Sequence, residues 1–146
     1  MLRRVQTLLA ALWGGFLLSI AGVVMPGAFA VLERAQAILL AKHVFKLEAQ
    51  ISLGLALLLM MFERRAARDG GPAISAEILL PAAAMFCTVV GYYVLQPMME
   101  DALLGASAGS SGMSAMALHG MSMGFYALKT LLVLALAWGL SRSRAS

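Results

Sequence analysis

Long apolar stretches, separated by short polar ones, make up most of the chain. Four of them are long enough to supply the ~20 residues that a helix needs to cross a hydrocarbon core of ~30 Å. We therefore predict four membrane-spanning helices, at about 5–32, 38–62, 78–98 and 114–140. Short polar segments connect them, at about 33–37, 63–75 and 100–112. Ser75 is expected to cap the third helix, with Glu77 in its first turn.

The short connections indicate how the helices are arranged. Helices joined by short loops pack as antiparallel neighbours, so we predict an all-α, integral membrane four-helix bundle with up-down-up-down topology. Small residues such as Gly14, Gly15 and Gly54 are suited to close contact between membrane helices. We expect residues 1–146 to form a single membrane domain.

Composition supports the membrane assignment. The chain is 62% hydrophobic and 12% charged, whereas soluble domains average roughly 45–50% apolar and about 25% charged residues. The single cysteine, Cys87, excludes an internal disulfide and lies in an apolar run, where we interpret it as a packing residue. The net charge of +4 is interpreted as marking one side of a membrane, and no nucleic-acid partner is expected.

The distribution of arginines predicts the orientation. By the positive-inside tendency, arginine-rich ends and loops face the cytoplasm. We therefore expect a multi-pass protein of the cell inner (plasma) membrane with both termini cytoplasmic. Ala28, Phe29 and Ala30 resemble a signal-peptide cleavage site, but the preceding apolar run exceeds the ~7–15 residues of a signal h-region, so we expect an uncleaved span. The arginines that predict the cytoplasmic side are Arg3, Arg4, Arg64, Arg65, Arg68, Arg142 and Arg144.

Polar residues recur along one side of the fourth predicted helix. At about 100° per residue, His119, Ser122, Tyr126 and Lys129 form a stripe. The adjacent side of this helix carries methionines, and His119 lies at the border between the two sides. The methionines are Met113, Met116 and Met123.

The second predicted helix has a similar pattern. Gln36, His43 and Gln50 recur at a spacing of seven, with Lys46 beside that line and Glu48 pointing elsewhere. Ionisable residues at membrane depth usually face the bundle interior. His43, Gln50 and Glu48 are therefore candidate site residues, together with those of the fourth helix.

Lys129 and Glu48 form a candidate charged pair. Lys129 lies near the middle of its span, from where a lysine reaches the membrane surface poorly. Glu48 is the only acidic residue of the second span at comparable depth and is its natural partner. A pair of this kind is one hypothesis for function, as part of a small transporter or a proton relay.

The histidines and methionines form a second candidate site. Imidazole and thioether ligands suit a soft ion such as Cu(I), and two histidines on different helices can ligate a haem. The candidate ligands are His119, His43, Met116 and Met123. The alternative is that methionine fills irregular apolar space and that His43 meets lipid headgroups. No catalytic motif is present, so we expect neither an enzyme nor a cofactor, with copper or haem as the alternative.

Several of these segments resemble a known family. The first span, LWGGFLLSIAGVVMPGAFAVL, is similar to the first helix of the transmembrane protein 205-like domain family, a four-helix membrane unit of unassigned function. The segments VLQPMME and LHGMSM resemble two further elements of that family, although Tyr126 stands where the family often has an Asn. The membrane protoporphyrinogen oxidases share size and topology, but their first-helix histidine is missing here. The matching positions are Trp13, Gly14, Gly15, Pro26, Phe29, Pro97, His119, Gly120 and Ser122.

These observations lead to one expected function and two alternatives. We expect a non-enzymatic accessory, assembly or interaction subunit in contact with the lipid bilayer and with other membrane helices or copies of itself. The alternatives are a copper- or haem-handling protein and a transporter or relay component built on Lys129 and Glu48.

Overall fold

The computed structural model describes residues 2–68, 75–103 and 114–142, and all of its regular secondary structure is helical. Within these ranges four helical segments are long and apolar enough to cross a membrane, which confirms the four predicted spans. The first contains α1 and α2, the second is α3, the third contains α4 and α5, and the fourth is α6. Their bounds are α1 Leu2–Ser19, α2 Met25–Val31, α3 Arg34–Arg68, α4 Ala76–Thr88, α5 Leu95–Leu103 and α6 Ala115–Arg142.

Two π-helical segments interrupt the first and third spans. Ile20–Val24 joins α1 to α2, and Val89–Val94 joins α4 to α5. Each is followed within the first turn of the next helix by a proline, Pro26 or Pro97. A proline lacks an N–H, and a local π-helical adjustment lets a membrane helix accommodate the missing hydrogen bond without ending. The third span was expected to end near 98, but it continues through Pro97 to Leu103 for this reason.

The helix boundaries at the connections also differ from expectation. The turn predicted at 33–37 is shorter, because α3 already begins at Arg34 and Glu33 accepts a backbone hydrogen bond from Ala37. Ser75 does precede α4, but its side chain makes no capping bond. Its backbone carbonyl accepts the N–H groups of Ile78 and Leu79 instead. Met113 and Arg144 lie outside the described residues.

The helices pack around a common core. Both α1 and α4 pack against α3 and against α6, whereas α3 and α6 share no close backbone contact among the described residues. Thus α3 and α6 face each other across the bundle. The buried apolar cluster between the helices consists of Ala10, Trp13, Leu17, Ala56, Leu59, Ala84, Val133, Leu136 and Leu140.

Two adjacent glycines of α1 have different surroundings. A Cβ on Gly14 would lie 2.9 Å from Leu134 Cδ2, whereas one on Gly15 would meet nothing within 4 Å. Gly14 therefore lies where α1 approaches α6, and a larger residue there would have to displace the Leu134 side chain, whereas Gly15 lies in open space.

Candidate functional site

An ion pair crosses the interior of the bundle from α6 to α3. Lys129 Nζ donates to both carboxylate oxygens of Glu48, at 2.7 Å and 2.9 Å. Both side chains are almost fully buried, at 4% and 3% exposure. The long lysine side chain spans the distance between two helices whose backbones are not in contact. The pairing expected from depth along the chain is thus present.

Two residues that the sequence analysis did not single out complete the surroundings of Glu48. The Ser52 hydroxyl, one turn further along α3, donates to Glu48 Oε1. The Trp13 indole N–H of α1 donates to Ser52 Oγ at 3.0 Å. A serine four residues after an acidic residue on one helix is a weak signal for such a bond, and nothing in the sequence links Trp13 to it.

Tyr126 closes the other side of the pair. Its ring lies 4.8 Å from Lys129 Nζ, within the range of a cation–π contact. Its hydroxyl donates to the Leu17 carbonyl of α1 at 2.9 Å. The tyrosine thus makes a polar contact between α6 and α1. We refer to Lys129, Glu48, Ser52, Trp13 and Tyr126 as the central network.

The central network ties three helices together. It contains one positive and one negative charge, and each charged group is hydrogen-bonded within the chain. A buried pair that lost one partner would leave an uncompensated charge in a low-dielectric interior, which is strongly unfavourable. Chemically the arrangement can clamp α1, α3 and α6, and a proton can be exchanged within it between Lys129 Nζ and the Glu48 carboxylate.

The polar stripe of α6 divides in two. Lys129 is buried, and Ser122 and Tyr126 are partly buried and bonded, Ser122 to the Gly91 carbonyl at 3.4 Å. His119 is exposed, which corrects its assignment to the interior side of the helix. The preceding residue, Leu118, occupies the inward position and is fully buried. His119 lies about 100° around the helix from Leu118, at the edge of the inward side.

The candidate metal ligands lie on exposed surfaces. Met116 and Met123 are 84% and 53% exposed, and His119 and His43 are exposed as well. Among the described residues, no group of three or more His, Cys, Asp or Glu side chains is placed to hold a metal ion. A copper or haem site at these residues stays a prediction.

The polar line of α3 also faces away from the bundle. Gln36, His43 and Gln50 are exposed, as is Lys46. On the opposite side of the same helix, Glu48 and Ser52 face the core. Of the candidates on α3, only Glu48 therefore contributes to the central network.

A second buried polar cluster, which the sequence analysis missed, joins α1 to the end of α3. Gln6 Nε2 donates to Glu63 Oε2 at 2.7 Å, and the Arg3 guanidinium lies 3.1 Å from Glu63 Oε1. Arg3 also lies 3.7 Å from Glu77, at the start of α4. Glu63 was expected to begin a solvated loop, but α3 continues to Arg68 and turns this carboxylate inward.

We expect Glu63→Ala to lower the free energy of unfolding by about 1–3 kcal/mol, because the buried Gln6 amide loses its acceptor. The Oε1 atom of Gln6 already has no partner among the described residues. The matched control is Glu77→Ala, since its more exposed pair with Arg3 contributes only about 0–1 kcal/mol. Denaturant titration of the detergent-solubilised protein measures both. Equal losses would show that Glu63 does not act as a buried anchor.

Comparison with known protein families gives a match over most of the chain. The family described as "Domain of unknown function (DUF4149)" matches residues 8–108. The matched region contains Trp13, Glu48, Ser52 and Glu63, but it begins after Arg3 and Gln6 and ends before α6. No curated protein and no solved structure matches the chain.

Proposed function

Because the chain belongs to the DUF4149 family, a domain of unknown function, we propose its role from its geometry: a non-enzymatic interaction or assembly subunit of a membrane complex. The bundle is a scaffold held by the central network, and its outward surfaces contact other membrane helices. The comparison gives the DUF4149 family, and the resemblance to the transmembrane protein 205-like family stays a prediction.

One observation carries the proposal: Gln50 is exposed near the middle of a membrane helix. Gln50 lies one residue from the midpoint of α3. It is also only two residues from Glu48, and the partner of Glu48, Lys129, lies near the midpoint of α6. Gln50 makes no hydrogen bond to any residue that the structure describes. An unpaired amide facing hydrocarbon is costly. A polar group on another helix would satisfy it.

The proposal includes an orientation. Arginines cluster at the end of the bundle where Arg3, Glu63 and Glu77 meet, and the positive-inside tendency assigns such an end to the cytoplasm. An up-down-up-down bundle then has both termini cytoplasmic, in the cell inner membrane. Reaction of single-cysteine variants with a membrane-impermeant thiol reagent in intact cells tests this assignment.

The experiment for the proposed function uses a photoreactive amino acid at position 50 in native membranes. The matched control is position 131, since Leu131 is also exposed, at 64%. Its depth is similar, because Leu131 lies two residues from Lys129, Gln50 lies two residues from Glu48, and Lys129 and Glu48 are paired. We expect irradiation to attach a protein at position 50 and lipid alone at position 131. Lipid adducts alone at both positions would contradict the proposal.

A relay or transport role is a second candidate, favoured by the buried pair of Lys129 and Glu48, two titratable groups in direct hydrogen-bond contact that can exchange a proton. Liposomes containing the protein and a pH-sensitive dye test it. A relay predicts proton flux that is lost in the double variant Glu48→Gln, Lys129→Met. Flux equal to that of empty liposomes would reject this candidate.

The copper or haem hypothesis rests on His119, His43, Met116 and Met123. It predicts either a Soret band or stoichiometric copper after Cu(I) loading of the purified protein. Absence of both would reject it.

A further inference from the structure

The side of α3 that faces away from the bundle has a regular pattern of its own. Gln36, His43, Gln50 and Leu57 follow one another at a spacing of seven, and all four are exposed. Gln50 lies about 160° around the helix from Glu48, which faces the core. Contacts within the described bundle therefore do not explain this repeat.

A second line of residues accompanies the first. It begins four residues later and has the same spacing, and its members are also exposed. Two lines that alternate by four and three residues follow one side of a helix, and they have the spacing of the contact surface of a left-handed coiled coil. Contact with lipid alone does not require a repeat of seven. We call these eight residues the outer seam of α3: Gln36, Leu40, His43, Leu47, Gln50, Gly54, Leu57 and Met61.

The chemistry of the outer seam suits a copy of itself. Its polar members are two glutamines and a histidine, and each of these side chains contains both a donor and an acceptor when neutral. Copies inserted in one orientation lie parallel in the membrane, and a two-fold axis then places each residue against its own counterpart. An amide can pair with an identical amide, whereas a carboxylate or an ammonium group would meet its own charge.

The charged groups near the outer seam do not oppose this pairing. Lys46 lies at the edge, between the His43 and Gln50 levels but outside both lines, and its long side chain can extend to the membrane surface. Lys42 is paired with Glu100 at 2.9 Å. Glu48 faces the core and is neutralised by Lys129.

Gly54 provides the space that amide pairing needs. A Cβ at this position would meet nothing within 4 Å, so no packing inside the bundle requires a glycine there. It lies one turn beyond Gln50 on the outer seam. Small residues let membrane helices approach closely, and this approach brings short amide side chains within hydrogen-bonding distance.

We propose that the outer seam of α3 binds the outer seam of a second copy of this chain, as a parallel pair centred on contact between the two Gln50 side chains. The inference rests on the proposed function and names the partner at the same surface. It gives the Gln50 amide the hydrogen bond that the described part of a single chain does not supply.

Disulfide crosslinking in native membranes tests the proposal. In a Cys87→Ala background, the variant Leu57→Cys places a thiol on the outer seam. The control is Leu12→Cys, because Leu12 is 70% exposed on α1. The two positions have similar depth: Gln6 and Glu63 are hydrogen-bonded to each other, and Leu12 lies six residues from Gln6 just as Leu57 lies six residues from Glu63. Two differently tagged copies are expressed together, so that a crosslink between copies carries both tags. A disulfide forms only where the Cα atoms approach within about 7 Å.

We expect oxidation to give a doubly tagged dimer from Leu57→Cys and none from Leu12→Cys. We further expect Gln50→Leu to raise the dimer dissociation constant about tenfold, measured by energy transfer during lipid dilution, and Gln50→Asn to restore most of the loss. Both variants change an exposed residue, and a monodisperse elution profile confirms that each is folded.

Three results would overturn the proposal. The first is a dimer that forms equally from both cysteine positions. The second is a dimer with the same dissociation constant in Gln50→Leu as in the parent chain. The third is a Leu57→Cys adduct to a different protein with no doubly tagged species, which rejects self-association but leaves the interaction role intact. Lipid adducts alone in the photochemical experiment at position 50 would instead reject both.

Discussion

We expect Lys129→Met to lower the free energy of unfolding by about 3–5 kcal/mol, because it leaves the buried Glu48 carboxylate without its counter-charge. Methionine has a similar length and is apolar, so the packing volume changes little. The loss therefore reports the missing ion pair and not a cavity. Equilibrium unfolding in mixed micelles with increasing SDS measures it.

The same substitution at Lys42 is the matched control for Lys129. Lys42 pairs with Glu100, but these side chains are 48% and 44% exposed, and an exposed pair contributes about 0–1 kcal/mol. The double variant Glu48→Gln, Lys129→Met should recover most of the loss, since it removes both charges and keeps an acceptor for Ser52. If Lys129→Met and Lys42→Met had equal effects, the ion pair would not stabilise the bundle.

Replacement of Trp13 by alanine is expected to lower the free energy of unfolding by about 3–5 kcal/mol, since it leaves a large cavity in the core. Trp13 is fully buried, and its indole N–H is bonded to Ser52. Trp13→Phe keeps most of the apolar volume and removes this bond, so we expect a smaller loss, of about 1–2 kcal/mol.

The second tryptophan of the chain provides the control. Trp138 is 65% exposed and its ring lies 5.5 Å from the Arg142 guanidinium. We expect Trp138→Ala to change the free energy of unfolding by less than about 1 kcal/mol. A comparable loss from both alanine variants, measured in the same SDS titration, would contradict the assignment of Trp13 to the core.

The α6 helix shows how far helical periodicity predicts a site. The sequence predicted a shared side for His119, Ser122, Tyr126 and Lys129, and the last three of these are buried or partly buried. His119 lies at its edge, near the end of the helix, and is exposed. Periodicity gives the relative angles of residues, but the direction of the interior depends on the neighbouring helices.

The buried cluster at Gln6 and Glu63 shows a different limit. Hydropathy placed Glu63 in a polar connection, because a carboxylate followed by two arginines resembles a loop. Its burial depends on Gln6 and Arg3, which are almost sixty residues away in the chain. The two adjacent glycines, Gly14 and Gly15, are likewise equivalent in sequence, and only the position of Leu134 distinguishes them.

The amino-acid sequence by itself determined the number of spans and the comparable depth of Lys129 and Glu48, because both follow from the lengths of the apolar segments and from the transfer of apolar side chains out of water. Depth was enough to pair Lys129 with Glu48. Only the tertiary structure decided which side of each helix faces the core, since rotation about a helix axis is set by packing against distant residues. That rotation turns Glu48 inward and Gln50 outward on the same helix, and so separates the groups that hold the bundle together from those available to a partner.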